Sequence, residues 1–132
     1  MTKIFRLEKG DILPDKIVEI AKANGYKTAS LQGIGGFNKV ILAYFNHQTK
    51  KYEEIEFDEQ FEVVSLNGNI ALRDNEPFVH LHTVLSRRDM STVGGHLTKA
   101  VVNPFIELIV QPTENIAKKE FDDKIGLYVL KV

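Results

Sequence analysis

Three histidines in this sequence are spaced so that they can meet at one point. His80 and His82 lie in Phe78–Leu85, a run whose aromatic and β-branched content is that of a strand. Residues two apart on a strand share a face, so the two imidazoles stand side by side, about 7 Å apart at Cα. A third, His96, follows in Val93-Gly94-Gly95-His96-Leu97. Between the two runs, Arg87-Arg88-Asp89-Met90-Ser91 is polar and reads as a turn. A hairpin centred on Asp89, without a bulge, sets His96 directly across the ladder from His82, with Cβ atoms about 5 Å apart. Three nitrogen donors on one patch suit a divalent metal. Zinc is the expected ion, although imidazole also suits nickel, copper and iron. Three neutral imidazoles leave a coordination position open, as catalytic zinc does and structural zinc does not. Leu81, Val84 and Leu97 are expected to be buried beside them, and Gly94-Gly95 leaves room for a ligand or a backbone to come close.

Glu107 is the candidate acid or base. It sits in Phe105-Ile106-Glu107-Leu108-Ile109-Val110, where a buried carboxylate is costly unless paired or metal-linked. Its readings are a fourth ligand, a partner that fixes a histidine tautomer, a general base, or an edge-strand residue facing water. Glu62, in Phe61-Glu62-Val63-Val64, raises the same question with less reason to be near a metal. His47 falls in the polar segment Asn46 to Lys51 and reads as a turn residue. Gln32-Gly33-Ile34-Gly35-Gly36 has neither the lysine-serine ending nor the following helix of a phosphate loop, so it reads as a bend or bulge. Ser65 and Ser86 lack a Gly-x-Ser-x-Gly setting, which argues against a serine nucleophile.

The elements that must position these groups are mostly strands. Lys3–Leu7 alternates as a first strand, and a helix follows from about Pro14 to Asn24, with Pro14 in its first turn and Asn24-Gly25 as its stop. Thr28–Ile34 and Phe37–Phe45 are strand-like runs joined at Gly35-Gly36, and Tyr52–Phe57 alternates cleanly. Phe61–Leu66 and Ile70–Leu72 are expected to meet across a turn at Asn67-Gly68-Asn69. Phe78–Leu85, Val93–Leu97, Phe105–Val110 and Ile125–Leu130 complete the set. Thr113–Asp123 is open between a short helix and a loop. One main helix with about nine strands predicts an α+β fold with a mainly antiparallel, strongly curved, barrel-like sheet.

Composition fits one globular domain: 132 residues, 43% hydrophobic and 27% charged. With no cysteine, thiolate metal sites, cysteine nucleophiles and disulfides are excluded. No apolar run approaches the roughly 18 residues of a membrane span, and the N-terminus has no signal-peptide core, so a cytoplasmic location and no membrane partner are expected. Seventeen basic against eighteen acidic residues give a net charge of −1, with the cations scattered. That balance lends no support to nucleic-acid binding.

The order Arg6-Leu7-x-x-Gly10-Asp11, Gly33-Ile34-Gly35-Gly36-Phe37, Phe61-Glu62-Val63-Val64-Ser65-Leu66-x-Gly68, His80-Leu81-His82, Gly94-Gly95-His96-Leu97 and Glu107 resembles the plants-and-prokaryotes conserved (PPC) domain. This domain stands alone in archaea and bacteria and is fused in plants to AT-hook DNA-binding motifs. The likeness spans essentially the whole chain, and its most specific part is His-x-His followed by Gly-Gly-His. The resemblance implies an α+β fold similar to that of acetolactate decarboxylase, a homotrimer, and a zinc ion on His80, His82 and His96. It also carries a DNA-binding label taken from the plant proteins. The chain departs from the plant pattern in having no Arg-Gly-Arg-Pro hook and in reading Glu59-Gln60-Phe61-Glu62-Val63-Val64 where plants read Gly-Arg-Phe-Glu-Ile-Leu. DNA binding is therefore expected to be weak or absent. Three functions stand side by side: a metal enzyme acting on a small carbonyl or carboxylate ligand at the metal, a DNA-binding or protein-interaction module, and a structural metal site within a trimer.

Overall fold

The computed structural model describes residues 1–131. The elements are β1 (Lys3–Glu8), β2 (Ile12–Leu13), α1 (Asp15–Asn24), β3 (Ala29–Asn46), β4 (Lys51–Phe57), β5 (Phe61–Arg73), β6 (Glu76–Ser86), β7 (Thr92–Pro112), β8 (Lys118–Asp122) and β9 (Leu127–Lys131). All nine strands belong to one sheet, antiparallel except where β8 meets β5 at Leu72. Pairings run from β3 to β7, β7 to β6, β6 to β5 and β5 back to β3, each over part of a strand's length. The sheet therefore curls strongly without forming a full barrel, and the α+β expectation holds.

Alternation along the long strands puts one side chain in two inside the curl. Phe37, Phe61, Leu66, Leu85 and Ile106 are fully buried there; each such side chain contributes roughly 1.5–3 kcal/mol relative to leaving it in water. The helix lies against β2 and β6, with Ile17 and Ala21 buried. It ends where Gly25 turns left-handed (φ 69°), so that the Gly25 and Tyr26 amides bond back to the Lys22 and Ala21 carbonyls. An L-residue with a side chain pays a steric penalty in that conformation. No helix among the described residues is long and apolar enough to cross a membrane.

Three expectations need correcting. Asn67-Gly68-Asn69 is not a turn: β5 runs straight through it, with Gly68 paired to Leu31 on one side and Leu81 on the other. Glycine is needed there for a different reason, since a Cβ would collide with the His80 carbonyl oxygen. The chain reverses later, at Asp74-Asn75, whose φ values of 52° and 63° give the double positive-φ pattern of a tight hairpin. Secondly, the two halves of β3 form one strand, as do Val93–Leu97 and Phe105–Val110 in β7. The Gly-rich segment of β3 absorbs its irregularity as register shifts around Gly35 rather than as a break. Thirdly, Thr113–Asp123 is neither helix nor simple loop, because Lys118–Asp122 forms β8 and pairs with β9.

Candidate metal centre

On β6, Val79, Leu81, Thr83 and Leu85 point into the core, so His80 and His82 must point outward. Val84 follows the same alternation and is 41% exposed, which corrects its expected burial. The hairpin to β7 turns at Arg87–Ser91, closed by hydrogen bonds from the Arg87 amide to the Ser91 carbonyl and from the Met90 amide to the Arg87 carbonyl. Its ladder has no bulge, and His96 faces His82 in register as the spacing predicts. One nitrogen from each of His80, His82 and His96 lies within 4.8 Å of the others. Ring centroids are 5.0 to 5.6 Å apart. Gly94 and Gly95 serve backbone approach: a Cβ at Gly94 would sit 2.8 Å from the Thr83 carbonyl oxygen and one at Gly95 3.0 Å from that of Ala43. These two glycines let β7 press between β6 and β3 and so bring His96 to the other rings.

The surroundings favour the neutral form of two of the imidazoles, His80 and His96. Burial, then the positive charge of Lys119 and the neighbouring histidines, lowers the His80 pKa to about 4. Burial, His82 and Lys119 likewise push His96 down. A neutral imidazole offers a lone pair, which is the state a metal needs. The Nδ1 atom of His96 is buried and has no hydrogen-bond partner, an unmet demand that a metal ion would satisfy. The donor set and this orphaned atom both fit a divalent ion.

Neighbours that sequence reasoning did not single out complete the site. Tyr52, from β4, stacks on His96 with centroids 4.7 Å apart and planes 28° from parallel. Asn67 and Asn69 face His82 and His80 directly across the β5–β6 ladder, and the buried Asn69 Oδ1 is also unpartnered. The polar alternation Ser65-Asn67-Asn69 was the available signal, obscured by the apparent Asn-Gly turn. Beside His82, a cavity of about 230 Å³ is lined by Ser65, Asn67 and Gly94 among others.

Glu107 lies elsewhere. It is exposed on β7, opposite Arg6 of β1 and Ile34 of β3, and does not join the histidine cluster. Of the readings open for it, facing water is the one that holds, although its strand is paired on both sides rather than at an edge. Glu62 is likewise exposed, facing Ser86 and Gly36. His47 occupies the turn between β3 and β4, as anticipated.

A family model described as the Plants and Prokaryotes Conserved (PCC) domain matches residues 2–114. The chain belongs to that family. Among curated proteins there is no match. A metal-containing protein of Archaeoglobus fulgidus superposes with a TM-score of 0.94 at 30% identity, covering 100% of this chain and 94% of that one. A plant- and prokaryote-conserved protein of Pyrococcus horikoshii gives 0.93 at 31% identity, covering 100% and 92%. A Bacteroides thetaiotaomicron protein named provisionally for DNA binding gives 0.94 at 28% identity, covering 98% and 91%. Acetolactate decarboxylase of Bacillus subtilis shares the fold at 12% identity and a TM-score of 0.65, with this PCC chain covering 54% of its length.

Proposed function

We propose that this PCC-domain protein binds a divalent metal ion, zinc in the first place, through His80, His82 and His96, and that the metal receives a small carbonyl or carboxylate compound. The observation that carries this reading is the convergence of three imidazoles on one patch, with the buried His96 Nδ1 left without a partner. Zinc in such a site would supply Lewis acidity, polarising a carbonyl or lowering the pKa of a bound water to about 7. The chain's own residues hold the ion and shape its approach. Tyr52 walls one side of His96, Asn67 and Asn69 present polar groups across from His82 and His80, and the exposure of His82 leaves the centre accessible rather than enclosed. Accessibility favours an exchangeable ligand over a purely structural ion. Elemental analysis of untagged protein is expected to give one metal per chain, and metal-free protein that takes up no zinc on titration would overturn the reading.

Assembly belongs to the same proposal. Ile4, Ile34, Val64 and Ile109 stand 36–72% exposed around a groove of about 390 Å³ beside Glu107. Contiguous exposed apolar surface of this kind marks a contact face, and we take it to be where copies meet in a homotrimer. Light scattering should then give close to three times 15.0 kDa; a stable monomer at micromolar concentration would count against it. For DNA, a net charge of −1 and scattered cations predict weak, salt-sensitive, sequence-independent binding at most. Nanomolar affinity for a defined duplex at physiological salt would reverse that judgement.

A further inference from the structure

The face that carries the histidines continues past His80. Phe78 is next on β6, and β5 sets Asn69 opposite His80, Ala71 opposite Phe78 and Arg73 opposite Glu76, so all of them share one side of the sheet. β8 enters beside Leu72, and its Lys119 brings Nζ to 4.9 Å from the centre of the Phe78 ring. The Arg73 guanidinium carbon is 5.3 Å from the same ring and 3.6 Å from the centre of Tyr128. Two cations thus straddle one aromatic ring, a single strand step from His80. Both are half-buried. Among the described residues neither makes an ion pair, and the nearby carboxylates are already engaged: Glu76 with Lys22 at 3.3 Å and Glu120 with Lys131 at 3.2 Å.

Half-buried cations without counter-ions are costly, and the cost rises when a further positive charge is placed beside them. A divalent ion held by imidazoles, which are uncharged ligands, would keep its full charge, and Lys119 and Arg73 would each add another. An anion placed among them would relieve that concentration of charge. The geometry also provides for one: contact with a ring engages the Arg73 guanidinium through its flat face over Tyr128 and leaves its in-plane N–H groups to donate, and the Lys119 ammonium has three N–H donors, more than one ring face can take.

We propose that Lys119, with Arg73 behind it, is the anion-recognising end of the histidine site, whose ligand is a small oxyanion of carboxylate or phosphate type. In this arrangement one ligand oxygen faces the metal and the negative charge rests against the Lys119 ammonium. The strand step of about 7 Å between Phe78 and His80 suits a compound of few atoms. This rests on the metal reading above and adds a substrate class to it.

The test is spectroscopic. The protein is loaded with cobalt(II), whose visible spectrum reports entry of a ligand at the metal, and is titrated separately with oxalate and with inorganic phosphate. Wild-type protein should show a saturable change with at least one of them, and the tighter of the two assigns the oxyanion class. Lys119→Gln should retain cobalt yet weaken binding about tenfold or more, the scale of one charge-assisted hydrogen bond. Arg73→Gln should weaken it less, and Lys119→Arg should recover most of the affinity. Equal affinity in cobalt-loaded Lys119→Gln and wild type would overturn the inference while leaving the metal reading intact. Failure of the wild-type protein to take up cobalt would overturn both.

Discussion

β7 spans Thr92–Pro112, and its two ends carry the two polar residues that the sequence marks out for chemistry. Near the start, His96 is half-buried, stacked on Tyr52, facing His82 across one ladder and Ala43 across the other, with a ring nitrogen left unpartnered. Near the end, Glu107 is exposed, facing Arg6 and Ile34, in a groove whose lining includes Ile4, Ile34, Val64 and Ile109 together with Gln32 and Asn67. Both residues point away from the core, although they are an odd number of positions apart, because the register shift between Leu97 and Lys99 inverts the alternation between them. They differ in what adjacent strands deliver to the same patch. At His96, β6 delivers two more imidazoles and β4 a phenol ring. At Glu107, β1 delivers Ile4 and an exposed Arg6 that is already paired with Glu8 at 3.2 Å. An outward polar residue on a strand gains chemistry only when its cross-strand neighbours carry it too.

The comparison breaks most sharply at the triad. Replacing any one of His80, His82 or His96 by alanine should remove most bound metal, because two imidazoles compete poorly with water; elemental analysis at fixed free zinc checks this. Full occupancy in the triple alanine variant would end the metal assignment.

Gly68→Ala should follow. The added methyl meets the His80 carbonyl oxygen, so β5 and β6 must shift apart beneath the triad. A loss of about 1–3 kcal/mol, the usual cost of overpacking, is expected in denaturant unfolding, together with reduced metal occupancy. An unchanged midpoint would show that the two strands yield more easily than their pairing suggests.

pH supplies a gentler probe. The folded His80 pKa of about 4 lies below its ordinary value near 6.5, so the unfolded chain binds the proton more readily. Stability of the metal-free protein should therefore be full above about pH 6.5 and fall as pH drops towards 4, by on the order of 1 kcal/mol after allowance for solvent screening. Metal affinity should fall over the same direction of pH, since protons compete for the lone pairs. Metal-free stability that stayed flat from pH 7 to 4 would contradict the proposed environment of His80.

The smallest effect is expected at the other end of β7. Glu107→Gln should leave metal content unchanged and stability within about 0.5 kcal/mol. A clear loss of metal in that variant would bring Glu107 back into the centre and erase the contrast between the two ends.

Much of the centre was legible in sequence because its geometry is local. His-x-His on a strand shares a face by the period of the pleat, and a hairpin about Asp89 sets His96 opposite His82 by counting residues. The helix stop at Gly25 and the curved antiparallel sheet were legible for similar reasons: each follows from periodicity or from the conformational freedom of one residue. Asn67-Gly68-Asn69 was misread because glycine serves two ends, positive φ and close approach, and only the strands on either side reveal which one applies. The exposure of Glu107 could not be inferred either, since an apolar run reads alike whether one or both faces of its strand are covered. The placing of Tyr52, Asn69, Arg73 and Lys119 around the triad depends on pairings between strands far apart in the chain. Spacing within one strand carries no information about such neighbours, so the sequence by itself determined which three histidines meet, and the tertiary fold alone decided what surrounds them.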